Sequence, residues 1–98
     1  MNKTDYYIKE DSLLARIAAK KLGKNNVAMV IGRTIHLWNA TSAEFLKNDR
    51  WVKHELCHVR QFKQYGTVPF IFLYLWESLK KGYTNNKFEV EARAAETS

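Results

Sequence analysis

The segment Arg50 to Tyr65 constrains this chain more than any other. Its apolar residues Val52, Leu56 and Val59 recur at helical spacing, Asn48 or Asp49 can cap its start, and Gly66 stops it. Lys53, Arg60, Lys63 and Gln64 gather on another flank. A helix of this kind presses one flank into a core and leaves the other in water. Between the flanks lie His54 and His58, with Gln61 and Tyr65 further along their side.

His54-Glu55-Leu56-Cys57-His58 is a His-Glu-x-x-His motif inside that helix. Residues four apart lie about 40° from each other around a helix and about one turn apart along it. Both imidazoles can therefore reach one zinc ion. Glu55 is offset around the same helix, where it can serve as general base toward an activated water without binding the metal. Zinc needs a third protein ligand if one position is to stay open for catalysis. No histidine follows His58, so the candidates are acids: Glu77, Glu89, Glu91 and Glu96. Cys57 points away from a metal held by both histidines and suits packing better than ligation.

The flanking sequence predicts an α+β fold. Ser12 can cap a short amphipathic helix with Leu13, Leu14, Ile17 and Ala18 on one face and Gly23 at its end. Val27 to Ile31 and Thr34 to Trp38 read as strands joined by a tight Gly32-Arg33 turn, a β-hairpin. In the second strand Ile35 and Leu37 take one face; Thr34, His36 and Trp38 take the other. Thr41-Ser42-Ala43-Glu44 is a capping box opening a short helix. Pro69 fits the first turn of a further helix that ends at Gly82, and Asn85 or Asn86 can cap a last helix from Lys87 onward. The 98 residues, 46% hydrophobic and 27% charged, suit a single domain over 1–98.

Other function classes are less well served. A lone cysteine forms no internal bridge. Met1 to Glu10 is polar, without the apolar run of a secretory leader. The longest apolar run, Val68 to Trp76, is shorter than the about 20 residues a membrane-spanning helix needs. A soluble, cytoplasmic protein with no transmembrane segment is expected. The net charge of +6 is spread along the chain, and Lys20-Lys21 and Lys80-Lys81 sit where helices end. Solvated surface explains it, and no nucleic-acid partner is expected.

Glu89-Val90-Glu91-Ala92, following the His-Glu-x-x-His motif on a later helix, resembles the gluzincin metallopeptidases. The similarity is to their CAAX-protease and HtpX-like branch and to its short relatives, the minigluzincins, and it covers roughly Thr34 to Ala95. Trp51 through Gln61 also resembles small bacterial domains that carry a zincin motif. The resemblance implies that Glu89 is the third zinc ligand, with Ala92 in register. It implies a zinc-dependent peptidase acting on a peptide or protein substrate, with strand Thr34 to Trp38 pairing with that substrate. The family pattern places an aspartate four residues after the ligand glutamate to orient a metal histidine. Here Arg93 stands there, free to pair with Glu89 when zinc is absent.

Several residues carry two readings. Glu89 is also at capping-box spacing from Asn86. Glu91, on nearly the opposite face, is its substitute as ligand. His36 is either a half-buried strand residue or part of the cleft, with Trp38 and Gln61 as further cleft candidates. Tyr83 is either a packing residue or an oxyanion donor. The apolar helix Val68 to Trp76 is either a central core helix or a contact for a partner or a membrane surface. The alternative to a peptidase is a non-catalytic zinc-binding interaction module.

Overall fold

In chain order the elements are β1 (Tyr7–Lys9), α1 (Leu13–Leu22), β2 (Val27–Ile31), β3 (Thr34–Trp38), α2 (Ser42–Lys47), α3 (Asp49–Tyr65), α4 (Thr67–Asn85) and α5 (Lys87–Ala95). The computed structural model describes residues 5–98; the first four positions of the polar stretch Met1–Glu10 lie outside the described residues. This is the expected α+β order with one strand added.

Local signals set most boundaries. Ser12 Oγ accepts from the Ala15 amide at the start of α1, and Gly23 closes that helix in the left-handed region. Thr41 and Glu44 form the capping box of α2. Asn48, not Asp49, caps α3 through the Trp51 amide. Asn86, not Asn85, caps α5 through the Phe88 amide. Helical geometry in α4 breaks at Gly82, where φ is 80° and ψ 166°. Only glycine adopts that combination readily.

The added strand changes the sheet. β2 and β3 form the antiparallel hairpin, with Val30 opposite Ile35. β1 pairs in parallel with the other edge of β3, Ile8 opposite Ile35. The order is therefore β1-β3-β2, and β3 is the interior strand. Thr34 to Trp38 has no free edge to offer a substrate, contrary to expectation. Among the described residues, the outer edge of β2 is unpaired.

Strand alternation sends two sets of side chains to opposite faces. Val30, Ile35 and Leu37 join Phe45, Val59, Phe62, Phe70 and Phe88 in the main core, beneath α3, α4 and α5. Val27, Met29 and Trp38 meet α1 on the other face. There α1 buries Ala15 and Ala19, while Leu13, Leu14 and Ile17 stay exposed. The leucine-bearing face is not the packed one. Small residues bring the helix backbone close to the sheet, and Arg16 lies over the Trp38 ring at 5.2 Å. α4 is likewise not a central core helix. Phe70 and Glu77 point inward, but Phe72, Leu75, Trp76 and Leu79 point outward.

Candidate metal centre

α3 brings His54 and His58 to one side because they are one turn apart. α5 runs antiparallel beside it, as the contacts Arg50–Glu96 at one end and Gln61–Phe88 at the other require. Phe88 and Ala92 anchor α5 in the core, and that register turns Glu89 toward both imidazoles. His54 Nε2 lies 3.2 Å from Glu89 Oε1, and His58 Nε2 lies 3.2 Å from Glu89 Oε2. One ligand atom from each residue falls within 4.8 Å of the others. His54, His58 and Glu89 thus form a group able to hold a metal ion.

The imidazoles are oriented from behind. His54 Nδ1 donates to Glu96 Oε2 at 2.7 Å, since an ionised carboxylate only accepts. Gln61 Nε2 donates to the Phe88 carbonyl at 3.1 Å and to Glu91 Oε1 at 2.6 Å. Its Oε1 must therefore face His58 Nδ1, 2.8 Å away, which donates to it. With both Nδ1 atoms engaged as donors, both Nε2 atoms turn toward Glu89. Partners of this kind fix the ring and the tautomer of metal-binding histidines.

The charges follow from this packing. Burial works against charging His58, but the bond to Glu89, the charges of Glu89 and Glu55 and the bond to Gln61 together outweigh it and raise its pKa; Glu89 and Glu96 together do the same for His54. Burial likewise opposes ionisation of Glu89, yet the two histidines and Tyr74 hold its carboxyl far below the usual carboxylate range. The Tyr74 hydroxyl donates to Glu89 Oε2. Burial pushes Glu55 up to about 8, and its Oε1 is buried without a hydrogen-bond partner. Cys57 is buried, which raises its thiol pKa, and it takes no part in the group.

Two hollows meet at this group. One, of about 280 Å³, is largely apolar and runs along β2 between Leu22 of α1 and Leu75 of α4. The other, of about 420 Å³, is more polar and includes Lys24 and Arg50. His54, Glu55 and Tyr83 line both, so the group stands where the cleft changes character.

The remaining expectations separate clearly. Tyr83 lies in the cleft. His36 and Trp38 do not: they sit on the α1 face of the sheet, where His36 Nδ1 meets Ser12 Oγ at 2.8 Å. Strand alternation carries them away from α3. Gln61 is buried behind His58 and lines neither hollow. Arg93 donates to the Thr84 carbonyl and does not pair with Glu89. Glu91 holds Gln61 and is not a ligand candidate. Glu89 closes no capping box; the Asn86 amide donates to the Tyr83 carbonyl instead.

One residue of the site was harder to find. Tyr74 reads from sequence as one apolar position among many. Its only signal is the shared face with Phe70 and Glu77 at helical spacing. Glu96 is a candidate ligand from sequence, and the structure gives it another place, behind His54: it lies roughly two turns beyond Glu89 on nearly the same line of α5. Compared with protein-family models, curated proteins and solved structures, the chain matches none.

Proposed function

We propose that this chain is a small gluzincin-like zinc peptidase, with His54, His58 and Glu89 as ligands and Glu55 as general base. One observation carries the reading: two imidazole nitrogens and a carboxylate from separate helices converge beside a buried carboxylate with an unpartnered oxygen. Two nitrogens and one oxygen are the donor set of catalytic zinc with an open position. One ligand atom from each of the three residues falls within 4.8 Å of the others, near enough for small side-chain adjustments to bring them onto one ion at about 2.0–2.2 Å. A buried, orphaned carboxylate oxygen is costly unless a polar guest meets it. The resemblance to the CAAX-protease and HtpX-like branch rests on the same residues.

Bound zinc supplies Lewis acidity, which lowers the pKa of a water and polarises a carbonyl. The chain's own groups do the rest. Glu55 takes the proton from the attacking water and gives it to the leaving amine. Tyr83, on the cleft wall, is the candidate donor to the developing oxyanion. Tyr74 steadies Glu89. The free edge of β2, not β3, is suited to pair with an extended peptide. The apolar hollow beside it takes bulky apolar side chains on one side of the bond cut.

Elemental analysis of protein purified without added metal tests the ligands: stoichiometric zinc in wild type and a large loss in Glu89→Ala are expected. Hydrolysis of a broad peptide library tests the chemistry. If Glu55→Gln keeps its zinc and cleaves as well as wild type, the catalytic reading fails and the non-catalytic zinc module takes its place.

A further inference from the structure

The cleft has a direction. Asn48, Arg50 and Trp51, at the start of α3, line the polar hollow, whereas His58 and Phe62, further along, line the apolar one. On β2, Val27 and Ala28 border both hollows, and Met29, Val30 and Ile31 only the apolar one. The polar hollow therefore sits at the start of both elements and the apolar hollow beyond it. His54 and Glu55 stand where the two meet. A peptide on the free edge of β2 forms the more stable ladder when it runs antiparallel. It then enters at the apolar hollow and leaves through the polar one.

The polar hollow presents cations and N–H donors. Lys24, just past the end of α1, is exposed on its wall. Among the described residues, its ammonium forms no ion pair with a carboxylate. Arg50 commits its Nη2 to Glu96 at 3.3 Å, and a guanidinium carries further N–H donors beyond that one. Asn48 commits its side-chain carbonyl to the Trp51 amide, which leaves its amide nitrogen as a donor. Two acids border the same hollow. Glu96 is already held between His54 and Arg50. Glu55 is buried at the junction, 4% exposed. What remains for a guest is a lysine, part of a guanidinium and an amide, groups that together suit a carboxylate.

We infer that the polar hollow binds a carboxylate of the peptide, on the C-terminal side of the bond held at the metal group, with Lys24 and Arg50 as its cations. The substrate class is then a peptide with a bulky apolar residue before that bond and an acidic group after it. The acidic group is a side chain or the free end of the chain. The position of the bond rests on the peptidase reading, whereas capture of the carboxylate needs no hydrolysis. Lys24 acts on specificity and touches no reacting atom.

Fluorescence anisotropy tests this on Glu55→Gln protein supplied with zinc. The probes are labelled, C-terminally amidated alanine peptides with one phenylalanine and one glutamate. The glutamate is walked from before the phenylalanine to after it, each peptide having a glutamine counterpart. Glutamate is expected to tighten binding about fivefold, and only when it follows the phenylalanine. The gain should shrink with added salt and vanish in Lys24→Gln, whose circular dichroism should be unchanged. A peptide without glutamate that ends in a free carboxylate soon after the phenylalanine, compared with its amide, separates a chain end from a side chain. A gain from either source supports the inference. Equal affinity across both comparisons overturns it. So do a gain that persists in Lys24→Gln, a gain when glutamate precedes the phenylalanine, and failure to bind any of the peptides. Cleavage by wild type is read separately: the same preference without cleavage upholds the carboxylate hollow and defeats only the peptidase reading.

Discussion

The Nδ1 atom of His54 donates to the carboxylate of Glu96 across 2.7 Å, and Arg50 holds the same carboxylate from the other side at 3.3 Å. This carboxylate orients the candidate metal histidine. Arg93, four residues after Glu89, turns away to the Thr84 carbonyl. Glu96, seven residues after Glu89, lies on nearly the same line of the helix and so also faces α3. Glu96→Ala should therefore weaken metal affinity by about 10–100-fold. Glu96→Gln keeps an acceptor for Nδ1 and should lose less. Competition with a zinc chelator measures both, and equal affinity in wild type and Glu96→Ala would remove Glu96 from the site.

Gln61 is an amide for a physical reason. It accepts from His58 while donating to the Phe88 carbonyl and to Glu91. A carboxylate could still serve His58, but its other oxygen would face a carbonyl and a second carboxylate. Gln61→Glu is nearly isosteric, yet it should destabilise the fold by about 1–3 kcal/mol. Urea unfolding at neutral pH reads this, and the loss should shrink in acid as the new carboxyl takes up a proton. An unchanged midpoint would show that the amide donors matter little.

Without metal, the site should make the chain less stable as pH rises. Burial holds Glu55 protonated to about 8, whereas its ordinary value is 4.5. His54 and His58 are raised as well, through Glu89. For all three the folded chain holds protons that the unfolded chain has released. Their contribution is present below the unfolded values and lost as pH rises through the folded ones. For Glu55 that window runs from 4.5 to about 8. Metal-free protein should melt at a lower temperature at about pH 8.5 than at about pH 5.5. Glu55→Gln should raise the melting temperature at the alkaline end and flatten the profile. A profile that rises toward alkali would contradict the assignment.

Gly82 decides where Tyr83 goes. Its φ of 80° and ψ of 166° break α4 and start the turn that carries Tyr83 to the cleft wall. A Cβ there would meet no neighbouring atom within 4 Å, so the cost of adding one is conformational and not steric crowding. Gly82→Ala should cost about 1–3 kcal/mol. Tyr83→Phe should leave stability nearly unchanged and lower peptidase turnover, if Tyr83 is the oxyanion donor. Thermal melts and single-turnover cleavage separate the two effects.

How far the sequence was sufficient follows from the range of each interaction. Caps and tight turns close within a few residues, so Ser12, Thr41 and the Gly32-Arg33 turn are readable without a fold. The His54–His58 spacing is equally local, since one turn of helix guarantees it. β1 is short, and its pairing with β3 joins segments with α1 and β2 between them. No local pattern encodes such a pairing, and it is what makes β3 interior and leaves β2 as the free edge.

By itself, then, the sequence determined the helices, the hairpin and a pair of histidines on one helical face. Only tertiary packing decided that Glu89 meets them, that Glu96 and Gln61 stand behind them, and that His36 and Trp38 lie across the sheet. The same holds for the side of α1 that is buried: periodicity marks the leucines as a face, but close approach to the sheet selected the alanines. Helical periodicity depends on neighbours one turn away, whereas convergence depends on how α3 and α5 pack through Phe88 and Ala92, a relation that no single segment contains.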